Sequence, residues 1–151
     1  MNMKKKFLKA IAGILIVFML TGCSADKVEI TFDGNNCTVT GPTSLPVGEH
    51  QFFLNNLSGK NFGFWVSRLK GDHTFQDLLD EQGGPGRYYL ALTNWVTLSS
   101  TTEFEYGKNG QLIYTIYLGS EGNYAIYLYD SAAHEETWLC APLQVTKSSL
   151  E

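Results

Sequence analysis

The chain has 151 residues and a mass of 16.8 kDa, enough for one domain. Hydrophobic residues make up 44% and charged residues 17%, which excludes a disordered chain, a collagen and a coiled coil. The formal net charge is −4, but four of the eleven basic residues lie in the first ten positions, so the rest carries 7 basic and 15 acidic residues, net −8. Because such a surface repels a phosphate backbone, we expect no nucleic-acid partner.

The N-terminal segment has the pattern of an export signal. Three lysines at positions 4–6 precede an apolar run over 10–20, shorter than the roughly 20 apolar residues of a permanent transmembrane helix. The following Leu-Thr-Gly-Cys at 20–23 resembles the lipobox of bacterial lipoproteins, in which the chain is cut before a cysteine that then carries a diacylglycerol. The resemblance implies a lipoprotein signal peptide over 1–22, lipidated Cys23 and a lipidated tether over 23–27. A plain secreted protein and a one-helix anchor are the alternatives.

Two cysteines remain after Cys23. Cys37 and Cys140 lie near the two ends of the mature domain, in a chain expected to reach an oxidising compartment. We therefore predict a disulfide between them, closing a loop of roughly 100 residues worth about 4–5 kcal/mol in the chain-entropy model. The alternatives are two buried thiols, or Cys140 as a metal ligand.

Strand-like segments separated by turn signals dominate the mature chain. The predicted strands cover 28–32, 37–40, 50–54, 62–69, 90–98, 102–106, 111–118, 123–129 and 139–145. Turn signals recur about every ten residues, which is typical of a sandwich or barrel. One helix is predicted over about 75–82, because Thr74 and Asp77 have the spacing of a capping box and Phe75, Leu78 and Leu79 fall at helical spacing.

Several short motifs occur in a characteristic order along this chain. They are Gly-Pro at 41–42, Leu-Pro-Val-Gly at 45–48, Leu-Asn-Asn-Leu-Ser-Gly at 54–59, Gly-Asp-His-Thr at 71–74, Gly-Asn-Tyr-Ala-Ile-Tyr-Leu at 122–128 and Pro-Leu-Gln-Val at 142–145. Their order resembles the cupredoxin-like domains of bacterial envelope proteins, over most of residues 28–146. The resemblance implies an all-β, Greek-key cupredoxin-like β-sandwich with one short helix over residues 28–147.

The ligands of a blue-copper site are the point at which the chain departs from that family. Such a site needs two imidazoles and a thiolate, often with an axial methionine. Leu128 occupies the position that the resemblance gives to the copper-binding cysteine, and the first histidine position falls near Asn61 or Phe62. His134 lies in the following loop, but no methionine follows it. We therefore expect no metal, no cofactor and no electron transfer by the usual blue site.

No catalytic constellation emerges from the remaining polar residues, and we expect no enzyme. His134 and the glutamates at 135–136 have the chemistry of a metal site, although a solvated loop is the more frequent role of such a cluster. Asp77, Asp80 and Glu81 offer an acid/base pair, but a solvated helix face is favoured. The chain contains no nucleophile-elbow, zinc-protease or phosphate-loop motif.

Tyrosines form the strongest predicted binding surface. The family pattern directs Tyr124 inward, which puts Tyr117, Tyr127 and Tyr129 on the outer face, where they could stack on sugar rings or contact a protein. Cross-strand pairs that only stabilise the sheet are the alternative. The sequence therefore predicts a non-catalytic, lipid-anchored binding or interaction module on the extracytoplasmic side of a membrane in the bacterial cell envelope, with a protein or carbohydrate ligand. The alternative is an envelope lipoprotein that handles copper or zinc through a non-standard site.

Overall fold

Two β-sheets face each other, and one helix packs on the outside of the second sheet. The computed structural model describes residues 27–82, 87–88, 94–98, 110–130 and 137–147. In chain order the elements are β1 (Val28–Phe32), β2 (Cys37–Thr40), β3 (Ser44–Pro46), β4 (Gly48–Asn56), β5 (Phe62–Leu69), α1 (Phe75–Gln82), β6 (Arg87–Tyr88), β7 (Val96–Leu98), β8 (Gly110–Leu118), β9 (Gly122–Asp130) and β10 (Thr137–Thr146).

The strand order shows a chain that repeatedly crosses between the sheets. The first sheet has the order β2-β1-β4-β8, and the second has the order β3-β10-β9-β5-β7, with β6 also pairing with β10. The pairs β1–β4 and β3–β10 are parallel, and the other described pairs are antiparallel. Parallel neighbours cannot be joined by a tight hairpin, so the chain must leave the sheet between them. This is the connectivity of a Greek-key sandwich, and the predicted all-β sandwich with one short helix is confirmed.

Alternating side chains build the main core between the sheets. In β9, Tyr124, Ile126 and Leu128 point into it, as the family resemblance implied for this face of the strand. Burying a side chain of this size contributes about 1.5–3 kcal/mol, so the sandwich is stabilised chiefly from this layer. The fully buried large side chains of the main core are Ile30, Phe32, Leu45, Phe52, Leu54, Phe62, Phe64, Ile116, Leu118, Ile126 and Leu128.

Helix α1 covers part of the outer face of the second sheet. The predicted capping box is present: the Thr74 backbone N–H donates to Asp77 Oδ2 at 2.6 Å, and the Asp77 N–H donates to Thr74 Oγ1 at 3.3 Å. The Asp77 carboxylate accepts hydrogen bonds from the Thr74 backbone N–H and the Thr74 hydroxyl, and because these bonds favour its charged form the pKa of Asp77 is lowered. Leu78 is fully buried and forms a second, smaller core with Leu69, Val96, Ala125, Tyr127 and Leu139.

The predicted disulfide joins the two sheets. Cys37 at the start of β2 is bonded to Cys140 in β10, with Cα atoms 5.2 Å apart and a sequence separation of 103 residues. Cys140 lies where the pairing of β10 with β9 shifts register, between Leu139 and Ala141. The two alternatives for these cysteines, free buried thiols and a metal ligand at Cys140, are therefore wrong.

Some predicted elements differ from the structure or lie outside the described residues. The short strands β3 and β6 were not predicted. Strand β4 is two residues longer at each end than the predicted strand 50–54. Of the predicted strand 90–98 only Val96–Leu98 is described, and the predicted strand 102–106 lies outside the described residues. The signal peptide and Cys23 lie outside them too. None of the helices in the described part of the chain is long and apolar enough to cross a membrane.

Candidate binding cleft and aromatic surfaces

An open cleft of about 890 Å³ lies at one end of the sandwich. We call this the turn end, because it carries the β8–β9 turn at residues 119–121, next to the start of β4 and the finish of β10. The opposite end, where β1 and β4 finish, is the far end. The cleft is lined by Val47, by Arg68, by residues 119–122, which form the β8–β9 turn and the first position of β9, and by residues 144–147, where β10 ends.

Two contacts fix the shape of this cleft. The buried Tyr124 phenol donates a hydrogen bond to the Ser120 carbonyl oxygen at 2.9 Å, which holds the β8–β9 turn against the sheet. Burial raises the pKa of Tyr124, so the phenol keeps its proton and remains a donor. Gly122 has a φ of +138°, and a Cβ there would lie 3.4 Å from Arg68 Nε. Glycine at this position therefore lets the guanidinium lie close to the backbone.

The electrostatics of the cleft favour an anionic group. Arg68 is exposed, and within the described residues no carboxylate forms an ion pair with it. Lys147, Ser120 and Thr146 line the same space, opposed by one carboxylate residue, Glu121. A guanidinium presents a planar fork of N–H donors that matches a carboxylate or phosphate. The cleft can therefore hold such a group with charge-assisted hydrogen bonds.

This cleft was not predicted from the sequence. Its residues come from β5, the β8–β9 turn and β10, which are far apart in the chain. The one signal in the sequence is Arg68 itself, a cation near the end of the otherwise apolar and small-residue strand β5. An arginine at that place must reach solvent at the end of the strand, and this could have marked the turn end as polar.

The three tyrosines predicted as a binding surface do not form one surface. Tyr117 lies in β8 on the outside of the first sheet and is 57% exposed, whereas Tyr127 and Tyr129 lie in β9 on the outside of the second sheet. Tyr127 is only 3% exposed, so its prediction as an exposed residue is wrong. It does lie on the predicted outer face, but that face is covered at this point by Leu78 of α1 and its neighbours.

Tyr127 is instead part of the second core. Its phenol oxygen lies 3.0 Å from the hydroxyl oxygen of Ser67, which is also fully buried. Burial raises the pKa of Tyr127 to about 12, and the bond to Ser67 only partly opposes that shift. A neutral phenol with a buried partner stabilises the fold and is not available to a ligand.

Tyr129 is a half-buried member of a cross-strand aromatic pair. Its ring centroid lies 5.7 Å from that of Trp65, with the planes tilted by 40°. A Cβ at Gly63 would lie 2.7 Å from the Tyr129 Cε1 atom, so the ring packs on the Gly63 backbone. Tyr129 therefore has the sheet-stabilising contacts of the alternative interpretation.

Of the positions that the family resemblance gives to copper ligands, Leu128 and Phe62 lie in the main core at the far end, and Asn61 is half-buried beside Phe62. Leu128 and Phe62 are at most 1% exposed. Phe62 makes edge-to-face contacts with Phe32 and Trp138, at centroid distances of 4.7 and 5.1 Å. No group of three His, Cys, Asp or Glu side chains close enough to hold a metal occurs in the described part of the chain, and His134 lies outside it.

The two described histidines have structural contacts. His50 is 7% exposed, and its Nε2 atom lies 2.7 Å from the Pro46 carbonyl oxygen. His73 stacks on Trp95 with centroids 4.2 Å apart, and its Nδ1 atom lies 3.8 Å from Asp77 Oδ2. Asp77, Asp80 and Glu81 lie on exposed α1 positions, where Asp80 accepts a hydrogen bond from the Gln76 side chain in the next turn. These carboxylates match the solvated helix face that the sequence favoured.

The fold is an all-β sandwich of two sheets with one short helix, the architecture expected from the sequence. No protein-family model matches the chain, and no curated protein matches it. Among solved structures, the chain is similar to Na-dithionite-reduced auracyanin from the photosynthetic bacterium Roseiflexus castenholzii, with 16% identity, a TM-score of 0.42, and coverage of 82% of this chain and 99% of that chain.

Proposed function

We propose that this protein is a non-catalytic, lipid-anchored binding module on the extracytoplasmic side of the bacterial envelope, and that its turn-end cleft binds an anionic group of a polar ligand. The lipobox at 20–23 supports the anchor. The Cys37–Cys140 disulfide supports an oxidising compartment outside the cytoplasm. The cleft around Arg68 supports the binding role.

The proposed ligand class rests on the position and the charge environment of Arg68. Its guanidinium lines the cleft with Lys147, while no carboxylate of the described residues neutralises it. Hydrogen bonds to charged groups contribute about 1.5–3 kcal/mol each, so one well-placed phosphate or carboxylate gains measurable affinity here. The Tyr124 hydrogen bond holds the β8–β9 turn in place before any ligand arrives, and Gly122 leaves room for the guanidinium beside the backbone. A preformed site has less ordering cost when it binds.

The binding test uses inorganic phosphate and acetate as probes of the folded mature chain. We expect saturable shifts of the backbone amide signals of residues 119–122 in nuclear magnetic resonance titrations, and their loss in Arg68→Gln. Lys70→Gln is the matched control, since it removes the same charge at a nearby residue that bonds to the Asn94 carbonyl and does not line the cleft. Equal titrations of wild type and Arg68→Gln, or no saturable shift with either anion, would show that the cleft is not an anion site.

The anchor has its own test. We expect the mature wild-type chain to begin at Cys23 and to carry a diacylglycerol, and Cys23→Ser to lose both the cleavage and the lipid. Intact-mass measurement of protein extracted from membranes reports both. A Cys23→Ser chain with the same lipid and the same N-terminus would contradict the lipobox assignment.

The alternative, copper or zinc handling, depends on His134 and residues near it, which lie outside the described part of the chain. Cys140, the sulfur once open as a ligand, is held in the disulfide. A metal handler would show a metal-dependent rise in the melting temperature. With Cu(II), the proposed binding module should show no intense thiolate-to-copper absorption band.

A further inference from the structure

The direction of β1 shows from which side the chain enters the sandwich. Val28 pairs with Phe52 in the parallel β1–β4 register, and Gly48 begins β4 at the turn end. Lys27 is therefore level with Gln51, three residues or about 10 Å from the turn end. Because β1 then runs toward the far end, the N-terminal segment approaches from the direction of the turn end.

The length of the tether limits which part of the domain can touch the membrane. Lys27 is the fourth residue after Cys23, and an extended chain of four residue steps spans at most about 14 Å. The turn end lies about 10 Å from the level of Lys27, but the far end at Asn56 lies about 17 Å away along β4. A lipid on Cys23 can therefore reach the turn end and cannot reach the far end.

Charge distinguishes the turn-end cleft from the neighbouring outer face of the first sheet. On that face Lys27 is paired with Glu29 at 3.2 Å, and Glu49 adds an exposed carboxylate. The turn-end cleft instead presents Arg68 and Lys147 against the single Glu121. Lipid phosphates would be repelled by the carboxylates of the sheet face and attracted by the cations of the cleft.

We infer that the turn end lies against the membrane that holds the lipid anchor, and that the anion bound in the cleft is the phosphate of a phospholipid headgroup contacted by Arg68 and Lys147. This inference rests on the proposed function for both the anchor and the anion site. It orients the sandwich with the far end directed away from the bilayer. Partner contacts would then involve the far end and the outer faces of the sheets.

The test measures the orientation of the lipidated full mature protein in vesicles of phosphatidylcholine and phosphatidylglycerol. Asp72→Cys places one free thiol at the turn end outside the cleft, and Leu57→Cys places one at the far end, where Leu57 is 59% exposed. Each thiol carries a small fluorophore, and a lipid with a spin-labelled headgroup is the quencher. The ends are separated by the nine residues of β4, or about 30 Å, so quenching at the headgroup distinguishes them.

We expect the Asp72→Cys label to be quenched several-fold more strongly than the Leu57→Cys label. Adding Arg68→Gln and Lys147→Gln should reduce that quenching while the protein still floats with the vesicles. Equal quenching at both ends, stronger quenching at the far end, or quenching unaffected by the two glutamines would overturn the inference. If the protein floats and soluble phosphate still binds, such a result leaves the proposed function standing, whereas a protein that does not float contradicts the anchor and the inference together.

Discussion

Removing the Cys37–Cys140 disulfide should produce a large loss of stability. The bond closes a loop with a sequence separation of 103 residues, and in the chain-entropy model a loop of this length contributes about 5 kcal/mol by restricting the unfolded chain. Both cysteines are only partly buried against the main core. Replacing them together with alanine removes little packing, so the expected loss is close to the loop term alone.

The assay is thermal unfolding of the double variant Cys37→Ala, Cys140→Ala followed by circular dichroism. For a domain of this size about 1 kcal/mol corresponds to roughly 4 °C in the melting temperature, so the expected fall is about 20 °C. Wild-type protein treated with reductant should melt near the double variant, and reductant should leave the double variant unchanged. A fall of only a few degrees would refute the reasoning, since it would mean that the unfolded chain gains little freedom when the bond is absent.

Four further predictions concern the second sheet and the helix packed on it. Tyr127→Phe leaves the buried Ser67 hydroxyl without its phenol partner, and urea unfolding should show a cost of about 1–3 kcal/mol. Burial raises the pKa of Tyr127 in the folded state from 10.0 to about 12. The free energy of unfolding should therefore be unaffected by this group below pH 10 and should fall as the pH rises from 10 toward 12. An equally steep fall in Tyr127→Phe would contradict this assignment. Gly63→Ala places a carbon 2.7 Å from the Tyr129 ring and should cost about 1–3 kcal/mol, with wild-type stability as the contrary result. Leu78→Ala should cost about 2–5 kcal/mol and speed hydrogen exchange in α1, and unchanged exchange would show that this side chain does not hold the helix.

The features predicted correctly from sequence have local causes. The capping box of α1 involves residues three apart, so the pattern at Thr74 and Asp77 contains the whole interaction. Alternation along β9 put Tyr124, Ile126 and Leu128 on one face, which a short stretch of sequence shows completely, while the family resemblance gave that face as the inward one. The disulfide is a non-local contact, but it was predicted because only one pair of cysteines remained.

The features that sequence did not show depend on contacts between distant segments. Tyr127 has the alternation of an outward residue, and it is buried because Leu78 of α1, about 50 residues earlier, packs on that face. Strand β3 has three residues, too few for a period-two pattern, and it is defined by parallel pairing with β10 about 100 residues later. The cleft around Arg68 is likewise assembled from three separate segments. The periodicity and spacing of residues within one short segment carry no information about contacts with a distant segment.

The two ends of the sandwich are packed differently, and for this reason we propose the binding site at the turn end. At the far end Phe32, Phe62 and Trp138 pack edge to face, and each such pair adds about 0.5–1.5 kcal/mol beyond the burial of its area. A ligand entering there would have to displace aromatic rings from the core. At the turn end the cleft is shaped by the backbone near Gly122 and by the Tyr124 hydrogen bond to the turn, while Arg68 is exposed in its wall. A ligand can therefore bind at the turn end without disturbing the core, and changing Arg68 should alter binding while the melting temperature stays within a few degrees of wild type.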